Sequence, residues 1–263
     1  MTPAAEKRFN LAFSIFLVLG MLVAVTITTV FKLRQPDAKT FLLVFAAFGS
    51  LMGVVNTVLS ANGHILTFVF GFIDVLVATV VYLEHGIMGN FALHALYFLP
   101  MQFIGFWQWR RRGAKVRSED GEDSRVSARR LTGKQWSWLA AGILAGVSIL
   151  YFILLKVDLA AAAAGRIDSV SKPKVLLDAT VMTLNIAGQV LLSFAFMEQW
   201  FIWILVNISS ISLWAVALAN GTGSGNAAVM LIKYVFYLLN SLNGLRIWLN
   251  LSRKASTVDL ENC

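Results

Sequence analysis

Apolar runs of about 20 residues, the length a helix needs to cross roughly 30 Å of hydrocarbon, recur eight times along this chain. They fall near residues 10–31, 41–61, 64–84, 87–109, 136–156, 175–197, 200–220 and 227–251. Hydrophobic residues make up 58% of the 263 positions and charged residues 14%, more apolar surface than a soluble domain of this size can bury. Lipid offers no partner for backbone polar groups, so spanning segments must be helices or closed barrels. Runs of this length select helices. The expected fold is all-α integral membrane, with about eight transmembrane helices.

Turns divide the runs into groups. Ala61-Asn62-Gly63 and Glu84-His85-Gly86 make the second, third and fourth runs antiparallel neighbours; Glu198-Gln199 and the glycine-rich Asn220–Asn226 loop do the same for the last three. Sliding the fourth run onto the eighth superposes His94 on Lys233, Gly105 on Gly244 and Trp109 on Trp248 at one constant offset. With the fifth run as an inverting linker, the two trios become parallel repeats, an arrangement that places a transport site near the bilayer midplane. The expected organisation is a peripheral N-terminal helix (1–39), a first three-helix bundle (40–110), a basic loop, linker helix and external connector (111–174), a second bundle (175–251) and a tail (252–263).

Net charge is +8, but the basic residues cluster at run ends and in the loop from Arg110 to Gln135. That pattern sets topology and argues against nucleic acid. It predicts a cytoplasmic loop and, by counting crossings, cytoplasmic amino and carboxyl termini. The Glu119–Asp123 patch inside the loop reads as solvated. The first run is too long for a signal-peptide core and is expected to remain. Cys263 is the only cysteine, which leaves no disulfide and no thiolate metal site. His85 and His94 lack the close spacing of metal ligands, so neither enzyme activity nor a cofactor is expected.

Polar side chains in lipid are costly and should face a cavity or a partner. Asn56, Asn185, Gln189, Asn207, Asn240 and Asn243 recur at the three-or-four spacing of one helix face. Gln102, Trp200, Trp203, Trp214 and Tyr237 join them as candidate site residues. Asp74 and Asp178 either line the path or pair with His94 or Lys233. The first and fifth runs have no amide or charged stripe, and their hydroxyls can bond to their own helix. Phe103–Arg112 and Asn243–Lys254 each run through a glycine and then tryptophan to basic residues. This reads as a helix leaving lipid, with Trp107, Trp109 and Trp248 as headgroup anchors.

Gln102–Arg110 (QFIGFWQWR), Gln199–Trp203 (QWFIW) with Asn207, and Tyr237–Trp248 (YLLNSLNGLRIW) resemble the PnuC-type nicotinamide riboside transporter family of bacteria. The likeness spans roughly residues 40 to 254. It implies a three-plus-one-plus-three fold related to the SWEET sugar transporters, plus the extra first helix. It also implies a bacterial inner-membrane protein that moves nicotinamide riboside by facilitated diffusion, with trapping by phosphorylation. The residues suit that solute: indole faces attract a cationic ring, and amides both donate and accept. No arginine lies in the stripes to clamp a phosphate, and titratable groups for ion coupling are few. A facilitator for a sugar or another vitamin would use similar residues. Lipid and a small solute are the expected partners, and a homo-oligomer is compatible with the sequence.

Overall fold

The computed structural model describes residues 3–34, 40–84, 88–116, 124–166, 169–219 and 227–261. The His85 turn, the Glu119–Asp123 patch, the Asn220–Asn226 loop and Cys263 lie outside the described residues. Eight helices form: α1 (Pro3–Leu33), α2 (Thr40–Ala61), α3 (Thr67–Glu84), α4 (88–111), α5 (Gly133–Ala163), α6 (Lys172–Ser193), α7 (Gln199–Ala219) and α8 (Ala227–Glu261). There is no strand among the described residues. By length and composition alone α1, α2, α3, α5, α6 and α7 are apolar enough to cross a membrane. In α4 a π turn, His94–Phe98, joins two α-helical pieces. Its cause is Pro100, which has no N–H for Leu96 and crowds that carbonyl; the Leu99 N–H bonds instead to the His94 carbonyl. A capping box starts α5, in which the Thr132 hydroxyl accepts from the Gln135 N–H and Gln135 Oε1 accepts from the Thr132 N–H.

The helices that carry polar stripes form a closed ring. α2 packs on α3, α3 on α4, α4 on α6, α6 on α7, α7 on α8, and α8 returns to α2. Outside the ring, α1 lies against α2 and α8, and α5 against α6. No residue of α5 is buried, as befits a helix surrounded by lipid. α1 is better held. Leu17 and Met21 pack with Val54 and Val58, and Arg246 of α8 bonds to Asn10 and stands 3.9 Å from Glu6.

Internal repetition is visible in the turns. Between α2 and α3, Gly63 N–H donates to the Ser60 carbonyl and His64 N–H to Leu59, both at 3.0 Å; between α6 and α7, Ala195 donates to Leu192 (3.0 Å) and Phe196 to Leu191 (2.8 Å). Both are Schellman-type helix ends. Gly63 has φ 69° and Ala195 φ 59°. A left-handed alanine costs roughly 1–2 kcal/mol, so its surroundings must hold it. They do: a connecting segment in the later part of the basic loop donates from Arg129 N–H to the Ala195 carbonyl at 2.8 Å, and from Val126 N–H to the Gly63 carbonyl at 3.0 Å. One extended segment thus ties both turns together.

The exit tryptophans depart from the sequence expectation. Trp109 and Trp248 are completely buried, where headgroup anchors would be exposed. Trp109 Nε1 donates to the Leu192 carbonyl at 2.8 Å, and Trp248 Nε1 to the Ser60 carbonyl at 3.0 Å. Each indole therefore crosses to the opposite trio and bonds the corresponding helix end there. Their ring centroids lie 5.3 Å apart. Gly105 and Gly244, one turn earlier, leave no room for a Cβ because Phe68 and Trp200 fill the space. The tryptophans point inward because these glycines let the neighbouring helices come so close. Only Trp107 is half exposed, with the Arg111 guanidinium 3.5 Å over its ring, as an anchor should be.

Trp109→Phe and Trp248→Phe should each destabilise the protein by about 1–3 kcal/mol, because each removes a buried indole hydrogen bond and leaves the volume of the larger ring unfilled. The double variant should be non-additive, since the rings touch. Thermal unfolding of the four proteins in detergent checks both statements.

Candidate functional site

Within the ring is a cavity of about 360 Å³, inside the roughly 300–1,000 Å³ range of small-molecule sites. Its floor lies toward the connecting segment. There Leu192 and Trp200 line the cavity and also belong to the apolar cluster containing Phe68, Trp109, Val126 and Trp248. The cavity is therefore shut on that side by packed side chains. Just beyond the floor, burial holds the His64 imidazole below its ordinary pKa, opposed by a hydrogen bond from the ring to the Val116 carbonyl.

Of the eleven sequence candidates, eight line the cavity. α2 brings Asn56, and α6 brings Asn185 and Gln189. α7 supplies Trp200, Trp203 and Asn207; α8 supplies Tyr237 and Asn240. Three do not line it. Gln102 sits behind Gly71, next to the Asn56 amide, and donates to the Phe98 carbonyl at 3.3 Å. Asn243 lies off the wall, its Oδ1 accepting from Arg246 at 2.9 Å. Trp214, half-buried on the outer part of α7, is off the wall as well.

Most wall amides spend a donor on the scaffold. Asn207 Nδ2 donates to Ser241 Oγ at 2.9 Å, Asn240 Nδ2 to the Thr57 carbonyl at 2.9 Å, and Asn185 Nδ2 to the Val181 carbonyl at 2.8 Å. Asn56 Oδ1 accepts from the Thr67 hydroxyl at 2.5 Å. These bonds fix each amide, and all but that of Asn185, which stays within α6, cross-link neighbouring helices. Two buried wall atoms have no partner among the described residues, the acceptor Asn240 Oδ1 and the donor Trp200 Nε1. An unmade buried hydrogen bond costs about 1–3 kcal/mol; both atoms are covered by their neighbours in this conformation, so a polar solute would meet them only after the wall shifts.

The charged candidates sort differently from expectation. Asp74 and Lys233 both line the cavity and lie within electrostatic reach of each other, and the Lys233 ammonium stands 5.4 Å from the Tyr237 ring centre. Asp178 is exposed on α6 and lines nothing. His94 pairs with neither carboxylate; its Nδ1 meets the Asn90 carbonyl at 2.8 Å, and its ring rests against Tyr82 and Phe98. Sequence reasoning placed Ser210 on the polar face of α7 with Asn207, and missed Ser241 and Tyr234 as wall residues. Tyr234 was legible, one turn before Asn240's stripe; a single serine such as Ser241 carries no such signal. Among the described residues no cluster of three or more His, Cys, Asp or Glu could hold a metal.

The two halves are alike in scaffold and unlike at the wall. The register that pairs Gly63 with Ala195 also pairs Asn56 with Gly188 and Gly71 with Trp203. In the first half an amide on α2 fills the space over a glycine on α3. In the second, the Trp203 indole of α7 lies where a Gly188 Cβ would stand, 2.9 Å away. The aromatic residues of the lining thus all come from the second half, beside amides drawn from both.

Comparison with known proteins agrees with this geometry. A family model described as nicotinamide mononucleotide transporter matches residues 43–250. The chain is 32% identical over 212 residues to the nicotinamide riboside transporter PnuC of Neisseria mucosa, covering 80% of this chain and 74% of that protein. It is 30% identical over 211 residues to the transporter of the same name from Haemophilus influenzae, covering 80% and 81%. A crystal structure of the vitamin B3 transporter PnuC superposes with a TM-score of 0.66 at 30% identity, covering 97% of this chain and all of that one.

Gly188→Ala should crowd the Trp203 indole and cost about 1–3 kcal/mol by overpacking. Adding Trp203→Leu should remove most of that cost, since the smaller side chain vacates the space. Thermal unfolding of the single and double variants measures the coupling.

Proposed function

This chain belongs to the nicotinamide mononucleotide transporter family, and from that premise we propose that it carries nicotinamide riboside through the six-helix ring. The observation that bears most of the weight is the wall itself. Trp203 offers an indole face, and beside it Trp200 Nε1 and Asn240 Oδ1 are buried without partners. A flat cationic ring on an indole gains about 0.5–2 kcal/mol. A carboxamide and ribose hydroxyls can pair with the lining amides Asn56, Asn185, Gln189 and Asn207, and with the two orphaned atoms once a shift of the wall uncovers them.

The riboside is favoured over its phosphorylated form because the cavity lining contains no arginine fork. Its one cation, Lys233, has Asp74 within reach, so little net positive charge remains to hold a phosphate. The proposed passage is facilitated diffusion, with a separate kinase trapping the product by phosphorylation.

For the architecture we propose two parallel trios, α2–α4 and α6–α8, joined by α5 as the inverting linker, with α1 added outside. The repeated turns and the reciprocal tryptophan bonds support this reading. All eight helices then cross a bacterial inner membrane, and the basic connecting loop puts both termini in the cytoplasm.

Calorimetric titration of the purified protein should give clear binding of nicotinamide riboside and much weaker binding of its phosphorylated form. Asn240→Leu, Asn207→Leu and Trp203→Ala should each weaken riboside binding about tenfold, the equivalent of roughly 1.4 kcal/mol. Thermal melts verify that each variant is folded. Unchanged affinity in all three would refute the site, and tighter binding of a sugar or another vitamin would reassign the solute.

A further inference from the structure

A second cavity of about 240 Å³ lies between α1, α2 and α8, on the side away from the connecting segment. α1 contributes Thr28, Thr29 and Lys32 to it, α2 contributes Ala46 and Ala47, and α8 contributes Met230. Ser50 and Lys233 line this cavity and the central one alike. The two spaces therefore adjoin, with these two side chains between them. On α2 the wall is continuous, since Ala46, Ala47 and Ser50 lead at helical spacing to Gly53 and Thr57. The lipid face of the same helix is separate and carries the exposed Val44 and Phe48.

The contact between α1 and the ring changes along its length. Toward the connecting segment it is sealed by Leu17, Met21, Val54 and Val58, with Phe236 packed against them. Beyond Ala24 the seal gives way to the cavity. Its lining is wrong for an acyl chain, because it includes two lysines and three hydroxyls. Those hydroxyls donate to their own helices, Thr28 to Ala24, Thr29 to Val25 and Ser50 to Ala46, at 2.8–2.9 Å. Their oxygen lone pairs stay available to water or a solute hydroxyl. Ala24, Val25, Leu43, Ala46, Ala47 and Met230 make up the rest of the lining, so it is the two ammoniums, costly in hydrocarbon, that would draw water into the space.

We infer that this chamber is a vestibule of the transport path, that α1 exists to wall it, and that Lys233 stands at the neck through which solute passes. The central cavity is shut at its floor by the Trp109–Trp248 cluster, and the adjoining chamber lies the other way. A cationic solute can pass an ammonium there because the Asp74 carboxylate shares the central cavity with it. This gives the otherwise peripheral first helix a role. It rests on the transport reading above, and on nicotinamide riboside only for the solute used to measure uptake.

The test is accessibility labelling of the full chain in proteoliposomes. Cys263, the only cysteine, is replaced by serine, and single cysteines are introduced as Ala47→Cys, Thr29→Cys and, on the lipid face, Val44→Cys. A membrane-impermeant methanethiosulfonate bearing a quaternary ammonium is added. Only a hydrated thiol ionises and reacts, so the two chamber positions should label about 100-fold faster than Val44→Cys. Their modification should stop nicotinamide riboside uptake. Labelling of Ala47→Cys and Thr29→Cys as slow as that of Val44→Cys would mean a lipid-filled groove and overturn the proposal. Fast labelling with undiminished uptake would place the chamber off the path and overturn it too. If the unmodified variants take up no riboside, the solute assignment falls, and the labelling rates still decide whether the chamber is wet.

Discussion

A polar side chain facing hydrocarbon has nothing to bond to, and that penalty organises this molecule. Six helices carry amides or charges at helical spacing, and those six close into a ring with the polar residues turned inward. The two helices without such stripes stay outside. α5 can do so with no buried residue because lipid satisfies an apolar surface as well as protein does. The cavity follows from the same rule: the wall amides tie neighbouring helices together, Asn207 to the Ser241 hydroxyl and Asn240 to the Thr57 carbonyl, and the lining encloses the space between.

Closure of the ring depends on contacts between the halves near the connecting segment. Two indoles exchange hydrogen bonds with helix ends across the molecular centre, and one extended segment clips both interhelical turns. The bonds are few, but each is buried, where a lost partner is not replaced by water. The cluster they sit in also forms the cavity floor. Stability of the assembled halves and closure of the path on that side are therefore one structural feature. Any movement that opened the floor would have to break the tryptophan bonds or carry both halves together.

Similarity between the halves ends at the wall. An asymmetric solute cannot be matched by a site with two identical sides, and the repeat breaks where solute would lie. Asn56 over Gly71 in one half becomes Gly188 under Trp203 in the other, a direct exchange of bulk between neighbouring helices. The turns, the glycine–aromatic contacts and the crossing indoles keep their equivalence because they carry the scaffold.

Much of this could be read from the chain. Run length set the helix count, and helical spacing of the amides identified most of the wall, since periodicity and the cost of polar groups in lipid are local properties. Tertiary structure decided what depends on approach between distant segments. Tryptophan followed by arginine looks the same whether the indole meets a headgroup or a neighbouring helix; Gly105 and Gly244 turn Trp109 and Trp248 inward by letting Phe68 and Trp200 come close. Likewise, Asp74 could have sought several cations, and only the ring brings it near Lys233 and leaves Asp178 exposed. Sequence fixes which side chains cannot face lipid, but which partner each one finds depends on the path of the backbone through space.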